Sequence, residues 1–290
     1  MRDVGAGAGV KDRIAAAPIS WGVCEVPGWG HQLTPERVLD EMAGLGIRAT
    51  EFGPDGFLPG PLLAARGVTA VGGFVPVVLH DPAHDPLPQV RAALDTFTAA
   101  GAQVLVLAAA TGLDGYDGRP EVTAEGWRLL LSRLDGIAAL AAAEGLTAAL
   151  HPHVGTVVET PDEVDRVLAG SGIGLCLDTG HLLVGGGDPV ALARRAASRV
   201  VHVHLKDVDA AAAERVRSGA ATYTEAVAAG LYRPLGQGDL ALGDLVAALE
   251  SAGYRGWYVM EQDTVLGSEP PPGQGPLADI TASLQWLAAQ

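Results

Sequence analysis

Six carboxylate or imidazole side chains close or interrupt short apolar runs. They are Glu51 after "AT", His80 after "VVL", His151 after "AAL", Asp178 after "LCL", His204 within "VHVHLKD" and Glu261 after "YVM". Oxygen and imidazole donors of this kind suit Mn²⁺, Co²⁺, Fe²⁺ or Zn²⁺ at about 2.0–2.2 Å, and the set lacks the thiolates of a structural zinc knot. His151, Asp178, His204 and Glu261 are therefore the expected metal ligands. Any one of these histidines alone is equally well explained as a strand-end polar group held by hydrogen bonds. Four polar groups turned inward together need a partner, because an unpaired buried charge is costly, and a divalent cation supplies it.

Strand alternation sharpens this reading. In an extended "VHVHLK" the side chains of His202, His204 and Lys206 share one face, and Val201, Val203 and Leu205 share the other. By the same period Cys176 and Asp178 face inward while Leu175 and Leu177 face outward, and Val259 and Glu261 alternate with Tyr258 and Met260. His202, deeper than His204, reads as a satisfied core histidine.

The elements that must position these groups alternate between β-type runs and Ala- and Leu-rich helical stretches. Eight strands are expected: "IAAAPIS" at 14–20, "ATEF" at 49–52, "AVGGFVPVVL" at 70–79, "VLVLAA" at 104–109, "TAALH" at 147–151, "IGLCLD" at 173–178, "VVHVHL" at 200–205 and "GWYVME" at 256–261. Thr34, Thr160 and Asp188 each precede a proline, the pattern of an N-cap followed by proline in the first helical position. The pattern predicts one (β/α)₈ TIM barrel domain, 1–290, in which strand C-terminal ends face a single mouth. A doubly wound sheet is disfavoured because "PISWGVCEVPGWG" lacks the G-x-G-x-x-G phosphate turn. "VGGGD" at 184–188 reads as a plain loop. Residues 209–234 form an insertion after the seventh strand, helical in its Ala-rich part, with "YRPLGQGD" returning the chain.

Composition excludes several function classes. The 290 residues carry 34 acidic against 19 basic side chains, a formal charge of −15, and no run of Lys or Arg able to neutralise phosphates, so no nucleic-acid partner is expected. Cys24 and Cys176 read as two separate thiols. "MRDVGAGAGVKDRIAAAPIS" has no continuous apolar segment, which predicts neither a signal peptide nor a membrane anchor and a cytoplasmic location.

"LCLDTGH", "VVHVHLKD" and "WYVMEQD" together resemble the xylose-isomerase-like superfamily of metal-dependent sugar isomerases and epimerases. "PISWG", "TEFGPDGFLPG", "LHPHVGTVVET", "CLDTGHLLVGGGDP" and "YRPLGQGD" look closest to its inosose dehydratase branch. The resemblance spans almost the whole chain and implies one divalent ion, Mn²⁺ or Co²⁺ in the dehydratases, with Fe²⁺, Mg²⁺ or Zn²⁺ as alternatives. Asp178, His204 and Glu261 match the superfamily's Asp, His and Glu ligands in order, at intervals of 204 − 178 = 26 and 261 − 204 = 57, the second stretched by the insertion. Most epimerases of the superfamily carry glutamate at the remaining position. His151 departs from that, and the dehydratase branch is similar to this chain there.

The departure bears on mechanism. Two facing glutamates suit proton exchange on both sides of a substrate carbon, whereas elimination of water needs an asymmetric base and acid. The resemblance therefore implies a hydro-lyase acting on a polyhydroxy ketone such as 2-keto-myo-inositol through an enolate, with a sugar or inosose isomerase or epimerase as the alternative. Glu261 is expected as ligand and proton acceptor, or as ligand alone. His153, released by Pro152, is expected in a substrate or acid–base role. Lys206 is expected to bind a substrate hydroxyl or the enolate, or else to pair with Asp207 or Glu51. His181 resembles the superfamily histidine beside the metal that touches substrate. Glu51 and His80 are expected at substrate hydroxyls, although "HDPAHD" equally reads as a turn closed by Asp81 and Asp85. Trp21, with Trp29 and Phe57, offers an aromatic face to a polyol ring or anchors the first loops. "EPPPGQGP" at 269–276 reads as a lid or as a lead into the last helix. An abasic-site nuclease and a non-catalytic sugar-binding barrel are the remaining alternatives, and a homo-oligomer is left open.

Overall fold

Val- and Ala-rich runs become parallel strands. The computed structural model describes residues 9–290. β1 (Ile14–Ala16), β2 (Ala49–Glu51), β3 (Thr69–Val78), β4 (Val104–Ala110), β5 (Thr147–Leu150), β6 (Gly174–Asp178) and β7 (Val200–Leu205) follow in chain order. After β8 (Asp207–Val208) and β9 (Tyr232–Arg233), an antiparallel pair set apart, β10 (Tyr258–Met260) completes the barrel. Its eight strands close in the order β1-β10-β7-β6-β5-β4-β3-β2. Each of the eight sequence-predicted runs overlaps one of them, β3 starting one residue before its run and β4 ending one residue after. β1 is shorter than expected because Pro18, which has no N–H for a ladder, opens a 3₁₀ turn over Pro18–Trp21.

Helices cover the outside: α1 (Pro35–Gly44), α2 (Gly60–Ala65), α3 (Leu87–Ala100), α4 (Ala124–Ala143), α5 (Pro161–Gly170), α6 (Thr179–Val184), α7 (Pro189–Ala196), α8 (Ala210–Arg217), α9 (Tyr223–Ala228), α10 (Leu242–Ser251) and α11 (Pro276–Ala288). The expected caps form. Thr34 accepts from Arg37 N, Asp188 accepts from Ala191 N, and Glu163 Oε2 accepts from Thr160 N at 2.8 Å. No helix of the described residues is long and apolar enough to cross a membrane.

The core divides as the alternation requires. Leu175, Leu177, Tyr258 and Met260 join the layer between strands and helices, whereas Cys176 packs inside the barrel with Val104, Val106 and Ala149. Val259 packs inside with Ala15, Ala17, Ala49 and Val71. Both cysteines are free. At the opposite end from the strand C-termini, Arg13 ties β1 to the chain entering β10. Its Nη2 donates to both Glu250 carboxylate oxygens (2.7 and 2.6 Å) and its Nη1 to the carbonyls of Tyr254 (3.3 Å) and Gly256 (3.1 Å).

Residues 209–234 fold as α8, α9 and β9. Asp209 accepts from Ala212 N, and Thr222 accepts from Glu225 N. Ala212, Ala213, Tyr223, Ala226, Val227, Leu231 and Tyr232 form an apolar cluster of their own with Trp29, Val154, Val184 and Val208. Asp207 organises the returning loop: Oδ2 accepts from Gly236 N (2.8 Å) and Gly238 N (3.0 Å), and Oδ1 from Leu240 N (3.2 Å).

Candidate metal and acid–base site

Asp178, the last residue of β6, also caps α6. Its Oδ1 accepts from His181 N at 2.8 Å, which sends Oδ2 into the barrel mouth. There Oδ2 lies 3.3 Å from His151 Nε2, 3.7 Å from His204 Nδ1 and 2.8 Å from Lys206 Nζ. Gly180 is required behind it, since a Cβ there would come within 2.7 Å of both the Lys206 side chain and the Tyr232 ring.

His204 and Lys206 stand on the inward face of β7. Thr179 fixes the strand end, its Oγ1 accepting from Lys206 N (2.8 Å) and donating to Lys206 O (2.6 Å). Lys206 Nζ also contacts Glu261 Oε2, Asp263 Oδ1 (3.3 Å) and His181 Nε2 (3.3 Å). The expected alternative pairing with Asp207 or Glu51 is corrected: Asp207 is occupied by the backbone of the loop, and Glu51 by two histidines. Glu51 Oε1 accepts from His202 Nε2 (2.7 Å) and His204 Nε2 (2.9 Å). His202 thus has one nitrogen satisfied, while its Nδ1 is buried without a partner.

His153 is held rigidly beyond Pro152. Its Nδ1 donates to Val154 O (2.7 Å), and Thr156 Oγ1 donates to His153 O (2.8 Å). The ring lies on Tyr116, with centroids 4.5 Å apart. Gly155, at φ +74°, lets the loop pass Tyr116, whose backbone a Cβ would strike.

A cavity opens over these groups, lined by Glu51, His151, His153, His181, His204, Lys206 and Glu261, and by Phe74, Tyr116, Cys24, Trp29 and Asp263. The structure does not bring Trp21 or His80 to it. Trp21 is wholly buried in the outer core, its Nε1 donating to Glu41 Oε2 at 2.9 Å. His80 belongs to the turn reading, in which Asp81 and Asp85 accept from Ala83 N (2.8 Å) and Leu87 N (3.1 Å). Residues 269–276 do not line the cavity either. Arg37 holds them against α1 through the carbonyls of Pro270 (2.6 Å) and Pro271 (3.0 Å).

Sequence reasoning missed Asp263 and its two tyrosines. Tyr223 OH donates to Asp263 Oδ2 (2.7 Å) and lies 3.0 Å from Tyr232 OH, so the insertion backs Asp263 from behind the cavity lining. Asp263 lies two residues beyond Glu261, past the end of β10, and that nearness to an expected ligand is the signal that could have found it. The tyrosines are distant in sequence and carry no such signal.

A sequence model of the xylose isomerase-like TIM barrel family matches residues 63–290. The chain belongs to that family. It is 31% identical over 268 residues to an inosose dehydratase of Geobacillus thermodenitrificans, covering 87% of this chain and 90% of the relative. It is 34% identical over 271 residues to the rhizopine catabolism protein MocC of Rhizobium meliloti, covering 87% and 81%. The barrel also superimposes on the crystal structure of the IolI protein with a bound zinc atom, at TM-score 0.67 and 13% identity, over 94% and 95% of the two chains.

In this xylose isomerase-like barrel the donor set fits a divalent ion. Bonds of about 2.1 Å put neighbouring ligand atoms roughly 3.0–3.4 Å apart. His204 Nδ1 lies 3.2 Å from Glu261 Oε2, and His151 Nε2 lies 3.3 Å from Asp178 Oδ2. Asp178, His204 and Glu261 offer one ligand atom each within a 4.8 Å group, and His151 joins through Asp178, which it shares with His181. His204 Nδ1 is buried without a hydrogen-bond partner.

Electrostatics agree. Asp178, Glu261 and Asp263 are buried around the Lys206 ammonium. Burial alone would lower the His204 pKa, yet Cys176, Glu261 and Glu51 raise it well above the ordinary value, so this point attracts positive charge. Burial alone would raise Glu261, but His204 and Lys206 hold it down to about 2, the behaviour of an anion suited to ligation. Burial, opposed by Lys206, pushes Asp263 up to about 6. Burial, with His151 and Lys206, pushes His153 well below the usual imidazole range, so it stays neutral at pH 7.

Proposed function

We propose that this protein is an inosose dehydratase-like hydro-lyase that removes water from a cyclic polyhydroxy ketone of the 2-keto-myo-inositol type. The observation that carries the reading is the presence in one cavity of a buried ammonium, Lys206, and an imidazole, His153, whose Nδ1 donates to Val154 O and leaves Nε2 free. A cation for the developing oxyanion and a base for the α-proton are the two groups the elimination needs. The likeness to named inosose dehydratases over most of the chain supports the same reading.

His151, Asp178, His204 and Glu261 would hold one divalent ion, with Mn²⁺ or Co²⁺ the proposed occupants. When bound, such an ion polarises a ketone oxygen and lowers the energy of the enolate. Lys206 donates a hydrogen bond to that oxygen while Asp263, whose Oδ1 lies 3.3 Å from Nζ, anchors the ammonium. Because the Nδ1 hydrogen of His153 is used by Val154 O, its Nε2 carries the lone pair. Nε2 takes the proton α to the ketone, and the C–H electron pair delocalises onto the ketone oxygen. As the pair returns, the β C–O bond breaks, and the leaving hydroxide takes the proton from Nε2 and departs as water. A buried, unfavourable imidazolium is a strong acid, which suits the second transfer. His181, stacked beside His153, faces the substrate, and Glu261 acts as ligand.

The test is to strip the protein of metal, restore Mn²⁺ and supply 2-keto-myo-inositol. A product lighter by one water, with a new conjugated absorbance, is expected. A product of unchanged mass would instead assign the isomerase or epimerase alternative, which returns the proton, and no product with or without Mn²⁺ would sink both.

A further inference from the structure

Glu51 lies beneath the proposed ligands, at the end of β2 where the pairing with β3 shifts register between Thr50 and Glu51. Its Oε1 accepts from His202 Nε2 (2.7 Å) and from His204 Nε2 (2.9 Å), and the three side chains are at most 3% exposed. A carboxylate oxygen only accepts, so in both rings Nε2 is the protonated nitrogen. In a neutral His204 the lone pair is then on Nδ1. That atom is buried, makes no hydrogen bond, and points between Glu261 Oε2 (3.2 Å) and Asp178 Oδ2 (3.7 Å).

We infer that Glu51 is a positioning residue that sets the tautomer and direction of His204, presenting Nδ1 to the divalent ion, with His202 as the strut that fixes Glu51. This rests on the metal-site reading above. It reassigns Glu51 from the substrate hydroxyls that the sequence suggested. The physical logic is that of an outer carboxylate on a ligand histidine: it removes the wrong tautomer, fixes the ring, and makes the free nitrogen more basic. Glu51, His202 and His204 are also close enough to hold a cation themselves. Their 2.7 and 2.9 Å separations are those of N–H···O bonds, which favours protons rather than a second ion between them.

The experiment titrates metal-free protein with Co²⁺, following heat and the visible absorbance, for the wild type, Glu51→Gln and Glu51→Ala. The wild type is expected to take up one Co²⁺ per chain. Both variants are expected to bind it about 10–100-fold more weakly, with an altered visible spectrum and unchanged far-ultraviolet circular dichroism. Nitrogen-15 histidine spectra of the wild type with Zn²⁺ need no variant: the His204 Nδ1 resonance should move on binding while Nε2 keeps its proton. Equal Co²⁺ affinity in wild type and Glu51→Gln overturns the inference and leaves the metal site standing, as does metal-induced movement of Nε2. Two Co²⁺ per chain overturns it in favour of a second site, and a wild type that binds no Co²⁺ overturns the metal reading itself.

Discussion

The imidazole rings of His153 and His181 lie face to face, their centroids 3.6 Å apart and their planes inclined by 34°. Burial is the main cause holding both pKa values well below the usual imidazole range, with His151 and Lys206 adding to it at His153, and His153 and Lys206 adding to it at His181. Both rings therefore favour the neutral state. That arrangement suits transient proton transfer better than storage of charge.

His153→Gln keeps a polar side chain of similar reach and removes the base. Turnover of the keto-inositol should fall by about 10²–10⁴-fold. Co²⁺ content should be unchanged, because His153 is not in the ligand set. Steady-state kinetics with metal analysis on the same sample decide it, and an unchanged rate rejects His153 as the proton carrier.

Lys206→Met removes the ammonium and leaves Asp178, Glu261 and Asp263 without their buried cation. Breaking a buried ion pair in this way costs about 3–5 kcal/mol. The metal-free variant should unfold at lower urea than the wild type, and added Mn²⁺ should recover much of the difference while turnover stays low. A variant with the wild-type rate would remove Lys206 from the chemistry.

Glu163 supplies a pH test away from the site. Burial alone would raise its pKa, but the backbone N–H of Thr160, the Arg119 guanidinium and Glu159 N lower it below the ordinary 4.5. A carboxyl with a depressed folded pKa contributes stability that is present above the unfolded value and lost as pH falls through the folded one. The stability gap between wild type and Glu163→Gln should be full at pH 7 and shrink as pH drops below 4.5. Urea denaturation across that range measures it, and a gap that grows toward acid would contradict the assignment.

Arg13→Ala should destabilise without touching the chemistry. Arg13 is 1% exposed and its loss strands the Glu250 carboxylate at the barrel seam. Urea unfolding at lower denaturant than the wild type is expected, with KM for the keto-inositol unchanged.

The barrel was legible because its strands are apolar runs of period two, and that same period placed Cys176, Asp178, His202, His204, Lys206 and Glu261 on the inward face. His153 and Asp263 were harder, since each lies past a strand end where alternation no longer fixes direction. Trp21 misled because a tryptophan in a first loop looks available, whereas Glu41 on α1 gives its N–H a buried partner. Tyr223 and Tyr232 were out of reach: the contact of Tyr223 with Asp263 spans 40 residues and depends on how the insertion folds.

That insertion is also clamped from across the mouth. Asp117, in the loop after β4, accepts from Tyr223 N (2.7 Å) and from Thr224 Oγ1 (3.0 Å). The segment has its own caps and apolar cluster, and it leaves and rejoins the barrel at the short β8–β9 ladder. It is thus an exchangeable panel. Replacing it would change what stands behind Asp263 and His181 while the strands, and the side chains that ride on them, keep their places.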